Sequence, residues 1–251
     1  MGQAILSPAK GPPLPEAGDK IACPTHTEQM TKGLFITLEG NEGSGKTTQA
    51  RLLVERLRAA GHTVVENQEP GGTSIGQQIR RILLDPASHD MAAHTELLLM
   101  FASRAQASAE RIRPTLAKGH IVVSDRFTDS SLAYQGGGRD LGFDTVLALH
   151  RLVLGDLFPD LTLCVDIDVP TGLARAHGRN RQASAHSSID ESRLDQQSIE
   201  FHERVRAAYH RLAALEPRRF KLIDAHDSIE RVSERIWSEV APLLLTPSRQ
   251  E

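Results

Sequence analysis

Aromatic side chains are scarce in this chain: seven Phe, two Tyr and one Trp serve 251 residues. A core must therefore be built mainly from Leu, Ile, Val and Ala, and each aromatic is worth locating. Cysteine is scarcer still. Cys23 and Cys164 stand far apart, with no CxxC or metal-ligand spacing, which argues against a disulfide scaffold or a zinc site and for free thiols in a reducing compartment. No apolar run approaches the roughly 18 residues of a membrane span, the densest stretch being Leu97 to Ala102. The first residues also lack the apolar segment of a signal peptide. The expectation is a cytoplasmic protein with no membrane partner. Nor is there a basic excess: 29 Lys+Arg against 32 Asp+Glu give a net charge of −3, which excludes the bulk electrostatic footprint of a nucleic-acid binder. Any polyanion must be met by a local cluster.

Residues 1–32 hold five of the thirteen prolines and no apolar periodicity, and are expected to form a disordered N-terminal extension. From Gly33 onward, short apolar runs alternate with helical periodicity, the pattern of an α/β fold with a parallel sheet. Five strands are expected, at Leu34–Glu39, Thr63–Glu66, Ile121–Ser124, Leu161–Asp166 and Phe220–Ile223. A first helix should run from Lys46 to Ala60 and stop at Gly61. A second should bury Ile75, Ile79, Ile82 and Leu83 on one face, and a third, from His94 to before Gly119, should kink at Pro114. Near the C-terminus, Leu194, Phe201, Val205, Ala208 and Leu212 share a face, as do Ile229, Val232, Ile236 and Val240.

Gly40-Asn41-Glu42-Gly43-Ser44-Gly45-Lys46-Thr47 fits G-x-x-x-x-G-K-[ST], directly after an apolar strand and at the opening of an amphipathic helix. That context is what the chemistry needs. Glycines let backbone N–H groups turn toward a phosphate, and the helix dipole favours the anion. Lys46 is expected to bridge the β- and γ-phosphates, with the Thr47 hydroxyl on Mg²⁺. Asp125 closes the third strand, where a second acid facing metal and phosphates is expected. Beside it, Arg126 stands at the carboxyl edge of the sheet, where α/β ligands bind.

Between Asp168 and Asp190 there is neither acid nor Lys, but Arg175, Arg179 and Arg181 are present among polar residues. The phosphate loop has no arginine of its own. A mobile lid at about 172–192 would bring one of these three over the transferring phosphoryl group, stabilise its spreading charge and exclude water.

With these pieces placed, residues 33 to 245 resemble bacterial thymidylate kinase. The resemblance rests on Leu38-Glu39-Gly40 leading into the phosphate loop through Thr48, on Glu69-Pro70-Gly71-Gly72-Thr73, on Asp125-Arg126, and on Ala133-Tyr134-Gln135-Gly136-Gly137-Gly138-Arg139. It implies a P-loop kinase domain over 33–251, a five-stranded parallel sheet flanked by helices, a homodimer, and transfer of the γ-phosphate of ATP to dTMP. It further implies that Glu42 accepts from the 3′-hydroxyl of dTMP, that Arg126 holds the acceptor phosphate, and that Arg104 meets the thymine edge beside a stacking Phe101. Ser131 and Gln135 resemble positions near base and sugar, and Tyr134 the aromatic that crowds the 2′ position. The family often places its stacking Phe four residues before the arginine, where Met100 stands here, and an Arg where Gln68 precedes Glu69. A nucleotide-switch reading would need D-x-x-G and N-K-x-D segments after the loop, and neither occurs. Small kinases acting on AMP, CMP or shikimate are set apart only by the Tyr134 and Phe101 environment.

Overall fold

The computed structural model describes residues 33–184 and 191–245. The expected N-terminal extension and residues 185–190 of the expected lid lie outside these, as do the side chains of Arg179 and Arg181. Five parallel strands, β1 (Phe35–Glu39), β2 (Val64–Gln68), β3 (Ile121–Asp125), β4 (Leu161–Asp166) and β5 (Phe220–Asp224), form one sheet in the order β2-β3-β1-β4-β5. All five lie where the apolar runs predict. β1 is buried along its whole length because it pairs with β3 on one side and β4 on the other.

Side chains alternate across β1. Ile36 and Leu38 enter one core with Leu53, Val54 and Leu57 of α1 (Lys46–Ala59) and Val232, Ile236 and Val240 of α9 (Ile229–Leu245). Phe35 enters the other, with Phe101 of α3 (Ala93–Ala107) and Phe201, Val205 and Tyr209 of α8 (Ile199–Leu215). Thr37 and Glu39 follow Phe35 onto that second face and are fully buried. α1 closes with His62 N–H on the Leu57 carbonyl and Gly61 N–H on that of Arg58, Gly61 being left-handed at φ 90°.

Three expectations need correction. On α2 (Ser74–Leu84), Ile75 and Ile82 are half exposed, because only the Ile79, Leu83 and Leu84 side packs against α3 and the second core. Ile229 is likewise exposed, since it opens α9 before the helix has reached the sheet. The third helix does not merely kink at Pro114. It passes through a π-helical turn at Ser108–Ile112 before α4 (Arg113–Ala117), a change of winding that precedes a proline with no N–H for the Glu110 carbonyl. The arginine-rich segment is helical through 184, as α7 (Val169–Ser184), anchored by buried Val169 and Ala176. α5 (Thr128–Ser131), a π-helical Leu132–Gly138 segment and α6 (Phe143–Leu154) complete the second face of the sheet.

Candidate active site

The carboxyl ends of β1, β3 and β4 meet at the glycine loop. Gly45 takes a left-handed conformation, φ 98°, that a side chain would resist, and open space lies where its Cβ would be. Lys46 is buried, its Nζ donating to the Asn41 carbonyl at 2.7 Å. Burial and nearby Arg126 lower its pKa, against the pull of Glu42 and Asp125. Both amide atoms of Asn41 and the Ser44 hydroxyl are buried without hydrogen-bond partners. Such orphans are rare, and two of these, the Asn41 amide N–H and the Ser44 hydroxyl, can donate to an anionic guest. Thr47 Oγ1 donates to Asp125 Oδ2 at 2.7 Å, so the two residues expected at a metal lie side by side. A cleft of about 640 Å³ opens beside them, bounded by α1, the ends of β2 and β3, and the start of α2.

Across the loop, Arg126 sits in a left-handed conformation, φ 72°, a costly backbone for a non-glycine residue. Its N–H donates to the Leu38 carbonyl at 2.9 Å and its own carbonyl accepts from Ser124 Oγ at 2.7 Å. These two bonds hold the turn. Arg126 Nη2 donates to Glu42 Oε1 at 2.9 Å and to the Tyr134 hydroxyl at 3.0 Å. Tyr134 in turn donates to the same Glu42 oxygen at 2.7 Å. Burial works to raise the Glu42 pKa, but Arg126 and Lys46 outweigh it and bring it to about 2. Glu42 is therefore an ionised acceptor at neutral pH. Burial raises the Tyr134 phenol well above its ordinary value, so it remains a donor.

The family profile described as Thymidylate kinase matches residues 38–236. The chain is 49% identical over 217 residues to a thymidylate kinase of Pseudomonas fluorescens, covering 86% of this chain and 99% of that one. It is 46% identical over 211 residues to one of Solidesulfovibrio magneticus, covering 84% and 100%. A crystal structure of thymidylate kinase from Ehrlichia chaffeensis superposes with a TM-score of 0.66 at 30% identity, covering 84% of this chain and 99% of that one. The chain belongs to the thymidylate kinase family. It is a nucleoside monophosphate kinase, and its activity is the phosphorylation of dTMP by ATP.

The thymidylate kinase motifs converge on a second cluster next to Arg126. Arg104, on α3, is buried and donates through Nε to Glu69 Oε2 at 2.6 Å, through Nη1 to Ser131 Oγ at 3.0 Å and through Nη2 to the Phe127 carbonyl at 3.0 Å. Its guanidinium lies 4.7 Å from the Phe101 ring centroid. Phe101 and Met100 are both buried. Gln135 Nε2 donates to Glu96 Oε1 at 2.9 Å. Glu96 is fully buried and also receives Arg139 and Arg193, whose pull and that of Gln135 lower its pKa against burial.

Sequence reasoning named eight residues that lie here in four groups: Glu42 with Arg126 and Tyr134, Arg104 with Ser131, Thr47 with Asp125, and Gln135 against Glu96. It missed Glu39, Glu96, Ser130, Arg193 and Tyr209. Tyr209 carried a usable signal: one of only two tyrosines, it lies on the buried side of α8, where a phenol must find a partner. Glu96 carried none, since the Arg193 that pairs with it lies 97 residues away.

Proposed function

We propose that dTMP lies between α3, the π-helical Leu132–Gly138 segment and the glycine loop, with its phosphate on Arg126 and its 3′-hydroxyl on Glu42. The observation that carries this reading is the Glu42–Arg126–Tyr134 cluster. It links an ionised carboxylate of the donor loop to the arginine of the acceptor side through shared hydrogen bonds. Arg104, Phe101, Ser131 and Gln135 form the adjoining wall against base and sugar, and Tyr134 crowds the 2′ position. ATP lies along Gly40–Thr48, its phosphates cradled by loop N–H groups and Lys46.

Thr47 and Asp125 would hold Mg²⁺. Hard oxygen donors suit it, and among the described residues no cage of three or more His, Cys, Asp or Glu is present, as expected for an ion that takes most of its ligands from phosphates and water. When bound, it would neutralise developing charge on the β- and γ-phosphates. The chain's own part is positional: Glu42 and Arg126 bring the acceptor phosphate in line, Lys46 offsets donor charge, and an arginine of α7 completes the positive shell while closing out water. Arg175 is exposed on α7, one turn beyond Gly172, which abuts the loop, and Arg179 and Arg181 follow on the same helix.

The kinase acts in the cytoplasm as a homodimer. Ile75 and Ile82 of α2, Leu98 of α3, and Leu152 and Val153 of α6 are exposed apolar side chains on helices of which α3 packs against the other two, exposed apolar surface of the kind a second subunit covers. The reading of the acceptor site is tested by ADP release with dTMP, dUMP, UMP, AMP, CMP and shikimate as acceptors. Preference for anything but dTMP would refute it.

A further inference from the structure

Glu39, the last residue of β1, is fully buried and has no part in the reaction as described so far. A buried carboxylate is expensive unless donors surround it. Here three do. Glu39 Oε1 accepts from the Phe127 N–H at 2.8 Å, while Oε2 accepts from the Ser130 and Tyr209 hydroxyls. Both of those hydroxyl oxygens also accept from Arg126 Nη1, at 3.0 Å from Ser130 and 3.2 Å from Tyr209.

A hydroxyl has one proton and two lone pairs. Burial and then the nearby Asp129 raise the Glu39 pKa to about 7, against Arg126 and the bonds from Ser130 and Phe127. In its ionised form the carboxylate takes the protons of Ser130 and Tyr209, and their lone pairs are left facing the guanidinium. Arg126 has no acceptor capacity, so hydroxyls turned the other way would leave Nη1 without a partner. The third bond acts on the backbone, because Phe127 directly follows the left-handed Arg126. Nothing about the strand itself requires an acid here: the neighbouring inward positions are Phe35, in the apolar core, and Thr37, whose hydroxyl pairs with that of Thr162.

We infer that Glu39 is a positioning residue of the acceptor site, which aims Arg126 through the Ser130 and Tyr209 hydroxyls and the Phe127 backbone. This rests on the reading of Arg126 as the group that holds the acceptor phosphate. The carboxylate touches no substrate. Its effect should appear in acceptor binding and not in ATP binding, a split that general loosening of the fold would not produce.

The test is steady-state kinetics on the full chain for Glu39→Gln, Tyr209→Phe, Ser130→Ala, the Glu39→Gln/Tyr209→Phe double variant and Arg126→Lys. Glu39→Gln should raise the KM for dTMP about tenfold, the scale of a lost charge-assisted contact, with the KM for ATP within about twofold. Tyr209→Phe should raise it less, and the double variant no more than Glu39→Gln alone, because both act through one path. An unchanged KM for dTMP, an equal rise for ATP, or multiplicative effects in the double variant would overturn the inference. If Glu39→Gln does not fold, the two hydroxyl variants decide, and an unchanged KM for dTMP in both overturns it. A defective Arg126→Lys beside a normal Glu39→Gln would sink this inference alone. An unaffected Arg126→Lys would sink the acceptor-phosphate reading and this inference with it.

Discussion

Gly43 and Gly172 touch backbone to backbone: a Cβ on Gly43 would lie 1.9 Å from the Gly172 carbonyl oxygen, and a Cβ on Gly172 would lie 2.4 Å from the Glu42 carbonyl oxygen. The first turn of α7 is thus seated directly on the phosphate loop, with no side chain between them. Gly172 has an ordinary helical conformation, so alanine there adds bulk without backbone strain. Gly172→Ala should push the loop or the helix aside and lower kcat/KM for ATP at least about tenfold, given how steeply catalysis falls with small misplacements, while the protein stays folded by circular dichroism. Wild-type kinetics would show that the contact does not tune the site.

The same contact shows what the sequence could and could not reveal. Strand positions were legible because each is a short apolar run bounded by polar residues, and the glycine loop because its spacing is dictated by phosphate geometry. The helical nature of α7 was not, since Arg175, His177, Arg179 and Asn180 read as a polar stretch while its anchors, Val169, Leu173 and Ala176, are few and small. The Glu39 hydrogen bonds reach Phe127, Ser130 and Tyr209, 88 to 170 positions away. No local pattern encodes such pairings. The exposed Ile75 and Ile82 were misassigned for a related reason: periodicity marks an apolar face, but not whether the same chain or another covers it.

α7 starts on the glycine loop, and the catalytic role proposed for its arginines is tested there. Arg179→Ala is expected to lower kcat about 100-fold, the scale of losing one charge-stabilising donor in the transition state, with the KM for dTMP changed less than about threefold. Single-turnover measurement separates this from product release. If turnover stays at the wild-type rate, Arg179 has no catalytic part and Arg175 and Arg181 become the candidates.

Leu98 is the exposed apolar residue of α3, between α2 and α6. Leu98→Glu should weaken self-association at least about 100-fold, because a carboxylate would be desolvated in an apolar interface without a partner. Sedimentation velocity across a concentration series reads this directly. A dimer that persists unchanged would exclude this face. The substitution is at a solvent-exposed position of the single chain, so the unfolding midpoint of the monomeric form should move little.

His150, on α6, is fully buried between Thr128, whose hydroxyl lies 2.9 Å from Nδ1, and the stacked ring of Phe158 at 3.9 Å. Burial first, and then the charge of Arg104, bring its pKa from 6.5 down to about 4. The folded protein therefore keeps the ring neutral through a range in which the unfolded chain takes up a proton. Its contribution to stability is full above pH 6.5 and is lost as the pH falls through that value toward 4. At pH 5 the loss should be on the order of 1–2 kcal/mol relative to pH 7. His150→Gln removes the titration. The stability gap between wild type and variant, measured by urea unfolding, should narrow by that amount from pH 7 to pH 5. A gap that is the same at both values would mean that His150 titrates alike in the folded and unfolded chains.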